Sequence, residues 1–387
     1  MIQTLTVPTD TTALVETLRP TIEAGRDAAD EQRRLPAELA DVLRRAGAFG
    51  LSTPIEHGGL ELPLATQVDL YEAFGRIDGP TAWNIWNGNM GFCAALLDDT
   101  AVDTIFGPGS DPIIANSARV AGAAVAVDGG LALSGRWDIV SAIDIADWVA
   151  LFAMVMDGGA PRMTLAGPDV RVFFVRTDDV QVVDTWHTTG MRGTGSKTVV
   201  VDDVVVAEAF TVSPFAVAHI DRPLFRVPAF TIASTGAAPI VVGIAQALID
   251  EVVAIAPAKG TDNGQPLAQR AHAQSQIALA QSSLHAARLL LHDAADAIDT
   301  AAAHGEPVTE MLRARLRAAM SYAASVSRDV MSTCQSLASS SAIYTGNRIE
   351  RLVRDGQVAA QHMILSPTHL DILGRLTLGL DAGTHVV

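Results

Sequence analysis

Cysteine is almost missing from this chain: Cys93 and Cys334 are the only two in 387 residues. They lie far apart, which excludes a disulfide framework and any cysteine-based metal or redox motif, and suits a reducing cytoplasm. Lysine is as scarce. Lys197 and Lys259 stand alone among arginines, which reads as compositional bias rather than function. Positive charge as a whole is short. The net charge of −16 leaves a surface that repels nucleic acid and anionic lipid, so neither is expected as a partner. Unbroken apolar runs are missing too. The most apolar long segment, residues 230–258, is interrupted by Pro239, Gln246, Asp250 and Glu251, and reads as a buried helix, not a membrane span. The N-terminal MIQTLTVPTD has no basic region followed by an apolar run, so no export signal is expected.

Familiar catalytic signatures are also absent. There is no HExxH, and the ten histidines show no metal spacing; His285 and His292, seven apart on one helix, read as surface or interface residues. No GxSxG elbow occurs, and no GxGxxG opens a helix after a strand. GMRGTGSKT, from Gly190 to Thr198, comes near a P-loop. However, Ser196 separates Gly195 from Lys197, and the VVVDDVVV that follows is β-branched strand rather than helix. The stretch reads instead as a turn between strands, with Gly190, Gly193 and Gly195 permitting tight backbone angles. Arg192 within it keeps two readings: it reaches a cofactor phosphate, or it pairs with a carboxylate such as Asp202 or Asp203.

What is present is a large apolar fraction, 49%, enough for a substantial core divided into two or three folding units. Three textures follow one another. Residues 1–110 read as helices; LPAELADVLRRAGAFGL spaces Leu39, Leu43 and Ala46 at helical intervals behind Pro36. Residues 111–212 change to short strands, with a hairpin signal at Asp128-Gly129-Gly130 and further strands expected in WVALFAMVM, RVFFVRT, VQVVDTW and KTVVVDDVVV. Residues 213–387 return to helix. Ile277, Leu284, Leu291 and Ile298 recur every seven residues beside Ala273, Ala280, Ala287 and Ala294. A second run places Leu316, Ala323, Val330 and Leu337 the same way, flanked by Leu312, Ala319 and Val326. Alanine opposite leucine at this spacing predicts tightly packed, nearly antiparallel helices, hence a bundle core without chemistry. AKGTDNGQP and HGEP are its expected turns.

Three segments carry a resemblance. SGRWDIVSAIDIADWV, DTWHTTGMRGTGSKTVVVDDVVV, and RIERLVRD followed by AAQHMILSP are similar, in this order, to segments of the acyl-CoA dehydrogenase fold. The resemblance covers nearly the whole chain. It implies a mainly α protein with a β-domain insert: an N-terminal helical domain, a barrel-like middle β-domain and a C-terminal four-helix bundle. It also implies a cytoplasmic homotetramer built from dimers.

The fold hosts two chemistries. Its dehydrogenases use a carboxylate base and FAD. Its two-component monooxygenases take reduced FMN or FAD from a separate flavin reductase and use O2, through a C4a-hydroperoxide, to hydroxylate a small organic substrate. In the dehydrogenases a Glu follows the Arg-Asp pair. Register from Arg354-Asp355 places Met363 there, next to His362, and neither is a carboxylate. The second family location of the base lies on the first bundle helix, and no Asp or Glu occurs between Asp221 and Asp250. A standard dehydrogenase is therefore disfavoured, and a dehydrogenase or oxidase with a displaced base remains the alternative. A His at this place resembles the flavin-dependent hydroxylases, where it suits deprotonation of a phenol or amine; the other reading is a hydrogen-bonded core histidine.

Further residues follow from the same resemblance. Ser141 matches a hydroxyl near flavin N5, or else caps a strand end. Asn116 matches a position at the pyrimidine edge of the ring, or else makes an Asx turn. Gln361, beside His362, falls with the cofactor-binding residues. Arg270 matches an arginine that reaches a neighbouring subunit's flavin phosphate, or else is a solvated helix-end charge. One departure stands out in TAWNIWNGNMGF, where several aromatic hydroxylases place a histidine facing substrate. Here Trp83, Trp86, Asn87 and Asn89 stand instead. Trp86, Asn87, Asn89 and Met363 are the expected substrate wall, and the departure keeps an amine N-oxygenase of the same fold open.

Overall fold

The computed structural model describes residues 11–165, 167–260 and 264–384. The N-terminal ten residues, on which the absence of an export signal rests, lie outside it, as does part of the turn at 261–263. Five helices come first: α1 (Thr11–Gln32), α2 (Ala37–Arg45), α3 (Leu64–Ile77), α4 (Gly79–Gly88) and α5 (Asp99–Ile105). Pro36 takes the position just before α2, where its missing N–H costs nothing. Only Asp78 separates α3 from α4. Its carboxylate accepts the Thr81 N–H at 3.0 Å and the Thr81 hydroxyl at 2.7 Å, so it both ends one helix and caps the next.

Ten strands follow: β1 (Ile114–Val127), β2 (Gly130–Val140), β3 (Trp148–Asp157), β4 (Ala160–Pro161), β5 (Met163–Thr164), β6 (Gly167–Pro168), β7 (Val170–Arg176), β8 (Gln181–Val183), β9 (Lys197–Val206) and β10 (Thr211–Val212). The main sheet runs β10-β7-β3-β1-β2-β9-β8, with β4 paired to β3. β1 and β2 form the hairpin expected at Asp128-Gly129, Val127 facing Gly130. One side of the sheet buries Trp137, Val149, Leu151, Phe173, Val199 and Val201 in a core of its own. The strand expected over VQVVDTW is shorter than the sequence suggests. Beyond Val183, Asp184 leaves the ladder to bind Arg33 through both oxygens, at 2.9 and 2.7 Å, and the Trp186 indole N–H donates to the Met191 carbonyl at 3.0 Å.

The chain then turns helical: α6 (Pro223–Arg226), α7 (Ala229–Ser234), α8 (Ala237–Ile255), α9 (Ala271–Ala303), α10 (Glu310–Ala338), α11 (Arg348–Ala359) and α12 (Thr368–Thr377). α8 to α11 pack on one another as the bundle, and α3 lies against α8 and α9. Leu284, Leu291, Ile298, Leu316, Ala323 and Val330 are buried, so the seven-residue stripes are core, as their spacing predicts. The apolar 230–258 segment splits into α7 and α8 around Thr235 and Gly236, and its stretch from Ala229 to Ile255 is mostly buried within the chain.

Candidate active site around Trp83

TAWNIW places two indoles three residues apart on α4, which brings them to neighbouring positions on one face. The rings of Trp83 and Trp86 meet edge to face at 4.8 Å. The imidazole of His362, just past α11, closes the group: it lies 5.4 Å from Trp83 and 5.6 Å from Trp86, edge-on to both. Trp86 is fixed by its indole N–H, which donates to the Ala233 carbonyl on α7 at 2.8 Å. Trp83 turns its N–H the other way, to Ser141 Oγ at 3.2 Å.

Ser141 heads a chain of hydroxyls whose direction follows from its last member. Thr194 donates to the Met191 carbonyl at 2.8 Å, so toward Ser196 Oγ, 2.7 Å away, it accepts. Ser196 therefore donates to Thr194 and accepts from Ser141, also at 2.7 Å. Protons thus run from Trp83 through Ser141, Ser196 and Thr194 to a carbonyl. Ser141 spends its proton on Ser196 and one lone pair on Trp83, which leaves one acceptor lone pair. It is 3% exposed.

The loop Gly190–Ser196 is held from below by α11. Asp355 accepts the Met191 N–H at 2.6 Å, and the backbone at Gly190 lies so close to the Arg354 carbonyl that a side chain there would collide with it. Met191 is left-handed at φ 53°, and Gly195 at φ 54° packs against Asp144. Burial and the neighbouring Asp78 push the Asp355 carboxyl up to about 7, against the Met191 N–H, Arg351 and Arg354. GMRGTGSKT is therefore a clamped turn, and its last hydroxyls support Ser141. Arg192 corrects one expectation. It pairs with Asp30 on α1, at 3.6 Å, and donates to the Asp30 carbonyl at 3.0 Å, rather than reaching Asp202 or Asp203.

The tautomer of His362 is set by the backbone. Nδ1 accepts the Ile364 N–H at 3.4 Å, so the neutral ring carries its proton on Nε2. Burial pushes the imidazole down to about 4. It is thus neutral near pH 7 and presents a donor at Nε2; taking up a proton at Nδ1 requires release of the Ile364 amide.

The remaining sequence candidates divide. Asn116 on β1 donates to the Asn87 carbonyl at 3.0 Å and Asn87 donates to the Trp83 carbonyl at 3.0 Å, so both secure the C-terminal turn of α4. Asn89 faces away from the indoles. Its amide donates to the Ala48 and Ile85 carbonyls and accepts the Leu51 N–H at 2.7 Å, which commits it to the backbone and removes it from the expected substrate wall. Met363 is 76% exposed and Gln361 is exposed, whereas Arg270 stands at the start of α9, near a polar groove lined by His272, Gln276 and Ser332. Sequence reasoning names Trp83 only as part of the departure in TAWNIWNGNMGF and leaves it out of the expected substrate wall, and it gives Ser196 no role; both join the site through space.

Next to Ser196 lies a cavity of about 250 Å³ lined by Arg136, Asp138, Ile139, Thr185, Trp186, Thr188, Ser196 and Thr198. One indole, one aliphatic side chain, four hydroxyls and an Arg136–Asp138 pair at 3.3 Å make a lining with flat apolar and polar parts. The hydroxyl protons are given within the chain, Thr185 to Thr198, Thr198 to Asp138, Thr188 to the Gly190 carbonyl and Ser196 to Thr194, so this lining offers acceptor oxygens beside an apolar wall, which suits the N–H edge of a reduced flavin ring. Among the described residues no His, Cys, Asp or Glu group is arranged to hold a metal.

Comparison with known proteins agrees with this geometry. Residues 12–101 match the acyl-CoA dehydrogenase N-terminal domain and residues 235–367 the acyl-CoA dehydrogenase C-terminal domain. The chain is 29% identical over 351 residues to an indole-3-acetate monooxygenase of Pseudomonas putida, covering 90% of this chain and 89% of that one. It is 28% identical over 397 residues to the oxygenase subunit HsaA, a flavin-dependent monooxygenase of Mycobacterium tuberculosis, covering 97% of both. XiaF from Streptomyces sp., solved in complex with FADH2 and glycerol, superposes with a TM-score of 0.91 at 27% identity, over 97% of this chain and 98% of that one. The chain belongs to the acyl-CoA dehydrogenase superfamily. Within it, the chain is a flavin-dependent oxidoreductase of the monooxygenase branch.

Proposed function

We propose that this chain is the oxygenase component of a two-component system, which takes reduced FMN or FAD from a separate reductase and inserts one oxygen atom of O2 into a small aromatic or amine substrate. The observation that carries the reading is the Trp83 junction: one indole links a buried serine hydroxyl to a neutral histidine, and among the described residues no carboxylate is in ring or hydrogen-bond contact with any of the three. A dehydrogenase needs a carboxylate within reach of the substrate's proton, and this junction offers none.

Reduced flavin, when bound, would supply the two electrons that activate O2, one atom of which goes to the substrate while the other leaves as water. The chain's own residues supply the rest. Ser141 offers one fixed acceptor lone pair, which suits an N–H of a reduced ring, because its own proton is held by Ser196. A fixed acceptor in a water-poor site steadies a protonated nitrogen without reorganisation during reaction. Trp83 and Trp86 form an apolar wall for an aromatic body. His362 orients a substrate oxygen or nitrogen by donation from Nε2, and the Ile364 amide holds the tautomer that makes this possible. Asn116 and Asn87 act indirectly by fixing the end of α4. Arg270 and Gln361 are assigned to cofactor binding, Arg270 toward a neighbouring subunit of a tetramer, and the setting is cytoplasmic. Met363 borders the substrate entrance.

Oxygen consumption tests the reading. Purified chain consumes O2 with substrate only when a reductase delivers reduced flavin. Tightly held oxidised FAD bleached by an acyl thioester would contradict it and return the displaced-base dehydrogenase.

A further inference from the structure

One charge in the bundle has no answer. Arg317, in the first third of α10, is 3% exposed, and its Nη1 and Nη2 are both buried without a hydrogen-bond partner. Burial, with a second cation, Arg313, one turn earlier, pushes the guanidinium down to about 10, and among the described residues no carboxylate pairs with it. The face of the guanidinium lies over the Phe230 ring at 4.8 Å, which leaves the two-nitrogen edge for something else. Arg351 is equally buried but pairs with Asp27, Asp78 and Asp355. A buried cation left without a counter-charge opposes folding strongly, so an unpaired one marks a place where an anion binds.

Two routes connect Arg317 to the aromatic group. Along α7, Phe230 and Ala233 are one turn apart, and the Ala233 carbonyl holds the Trp86 indole. Thr231 Oγ1, next to Phe230, is also buried without a partner. Along the C-terminal segment, His369 feels the Arg317 charge and keeps both ring nitrogens buried without a hydrogen-bond partner, six residues past Met363, which adjoins His362. Ser321, one turn on from Arg317, donates to the Ser366 carbonyl at 2.8 Å and ties that segment to α10.

We propose that Arg317 is the anion-recognition residue of the substrate site, and that the substrates are small aromatic carboxylic acids whose carboxylate takes the free edge of its guanidinium while the ring lies toward Trp86 and His362. Two parallel N–H donors match a carboxylate bidentately. The inference rests on the monooxygenase reading of the Trp83 junction and narrows its substrate class.

Benzoate, phenylacetate and 3-phenylpropanoate, each against its primary amide, are the probes. Calorimetric titration of the flavin-free chain is expected to show at least one acid binding about tenfold or more tighter than its amide. Arg317→Met keeps the length and apolar stem of the side chain and removes the charge. It is expected to abolish that preference, to keep reduced-flavin affinity, and to unfold at the same or a higher temperature than wild type. A merely structural arginine gives the opposite shift in unfolding temperature. Equal binding of acids and amides, no acid binding at all, or an acid preference retained in Arg317→Met overturns this proposal while flavin binding stands. A wild-type chain that binds no reduced flavin overturns the reading beneath it.

Discussion

The indole N–H of Trp83 donates to Ser141 Oγ at 3.2 Å, joining a helix of the N-terminal half to the end of β2. This bond heads the Ser141–Ser196–Thr194 chain, whose protons all point toward the Met191 carbonyl. Removing either partner therefore has two consequences, one for stability and one for chemistry. Ser141→Ala leaves a buried N–H without an acceptor, at a cost of about 1–3 kcal/mol. Trp83→Phe removes the donor and leaves the serine a lone pair, at about 1–2 kcal/mol including the lost packing. Urea unfolding of the two variants and the double variant is expected to give a coupling energy of about 1 kcal/mol. Additive effects would mean that the bond does not form.

His362 is half-buried against two indoles, and loss of solvent around its ring pushes the imidazole down to about 4. The unfolded chain takes up this proton below about 6.5. The contribution of His362 to stability is thus complete above pH 6.5 and is lost as pH falls toward 4. His362→Gln is expected to flatten acid-induced unfolding in that window. Activity with saturating reduced flavin is expected to show no loss at pH 6.5 that this variant removes. A limb at 6.5 that disappears in His362→Gln would mean that the ring is solvated.

Asp355 shifts the opposite way, up to about 7. Between its unfolded value near 4 and about 7 the native chain binds the extra proton, so this group lowers stability progressively as pH rises through that range and adds nothing further above it. Asp355→Asn keeps an acceptor for the Met191 N–H. Its stability relative to wild type is expected to grow from pH 4 to 7 and then level off, read from denaturant midpoints. A constant difference across the range would contradict the shift.

Gly190 packs its α-carbon against the Arg354 carbonyl, where backbone cannot yield. Gly190→Ala is expected to cost about 1–3 kcal/mol. It is also expected to weaken reduced-flavin binding, because the turn carries Ser196 and Thr194. Full stability in this variant would mean that the loop is not clamped by α11.

Much of the architecture is legible in the sequence because it is periodic. The sevens in α9 and α10, the Asp-Gly-Gly hairpin and the β-branched run of β9 each declare themselves locally. The short β8 does not, because Asp184 and Trp186 leave the ladder for partners just past α1 and in the Gly190 turn, contacts that no local pattern carries. The site divides in the same way. Ser141 and His362 are visible through resemblance, but Trp83, which joins them, shows in the sequence only as part of a departure from the hydroxylase pattern. Asn89 looks available in the sequence and is consumed by three backbone groups in space. Arg317 reads as one polar residue on an alanine-rich helix, and only the absence of any buried partner sets it apart.

The most direct test of the central claim mixes the anaerobic complex of chain and reduced flavin with oxygenated buffer and follows flavin absorbance through reoxidation. Wild type is expected to reoxidise in at least two resolved phases. Ser141→Ala is expected to bind reduced flavin and to shorten the slow phase about tenfold, the worth of roughly one buried hydrogen bond. Reoxidation in a single phase in wild type, or a slow phase of unchanged length in Ser141→Ala, would contradict the account.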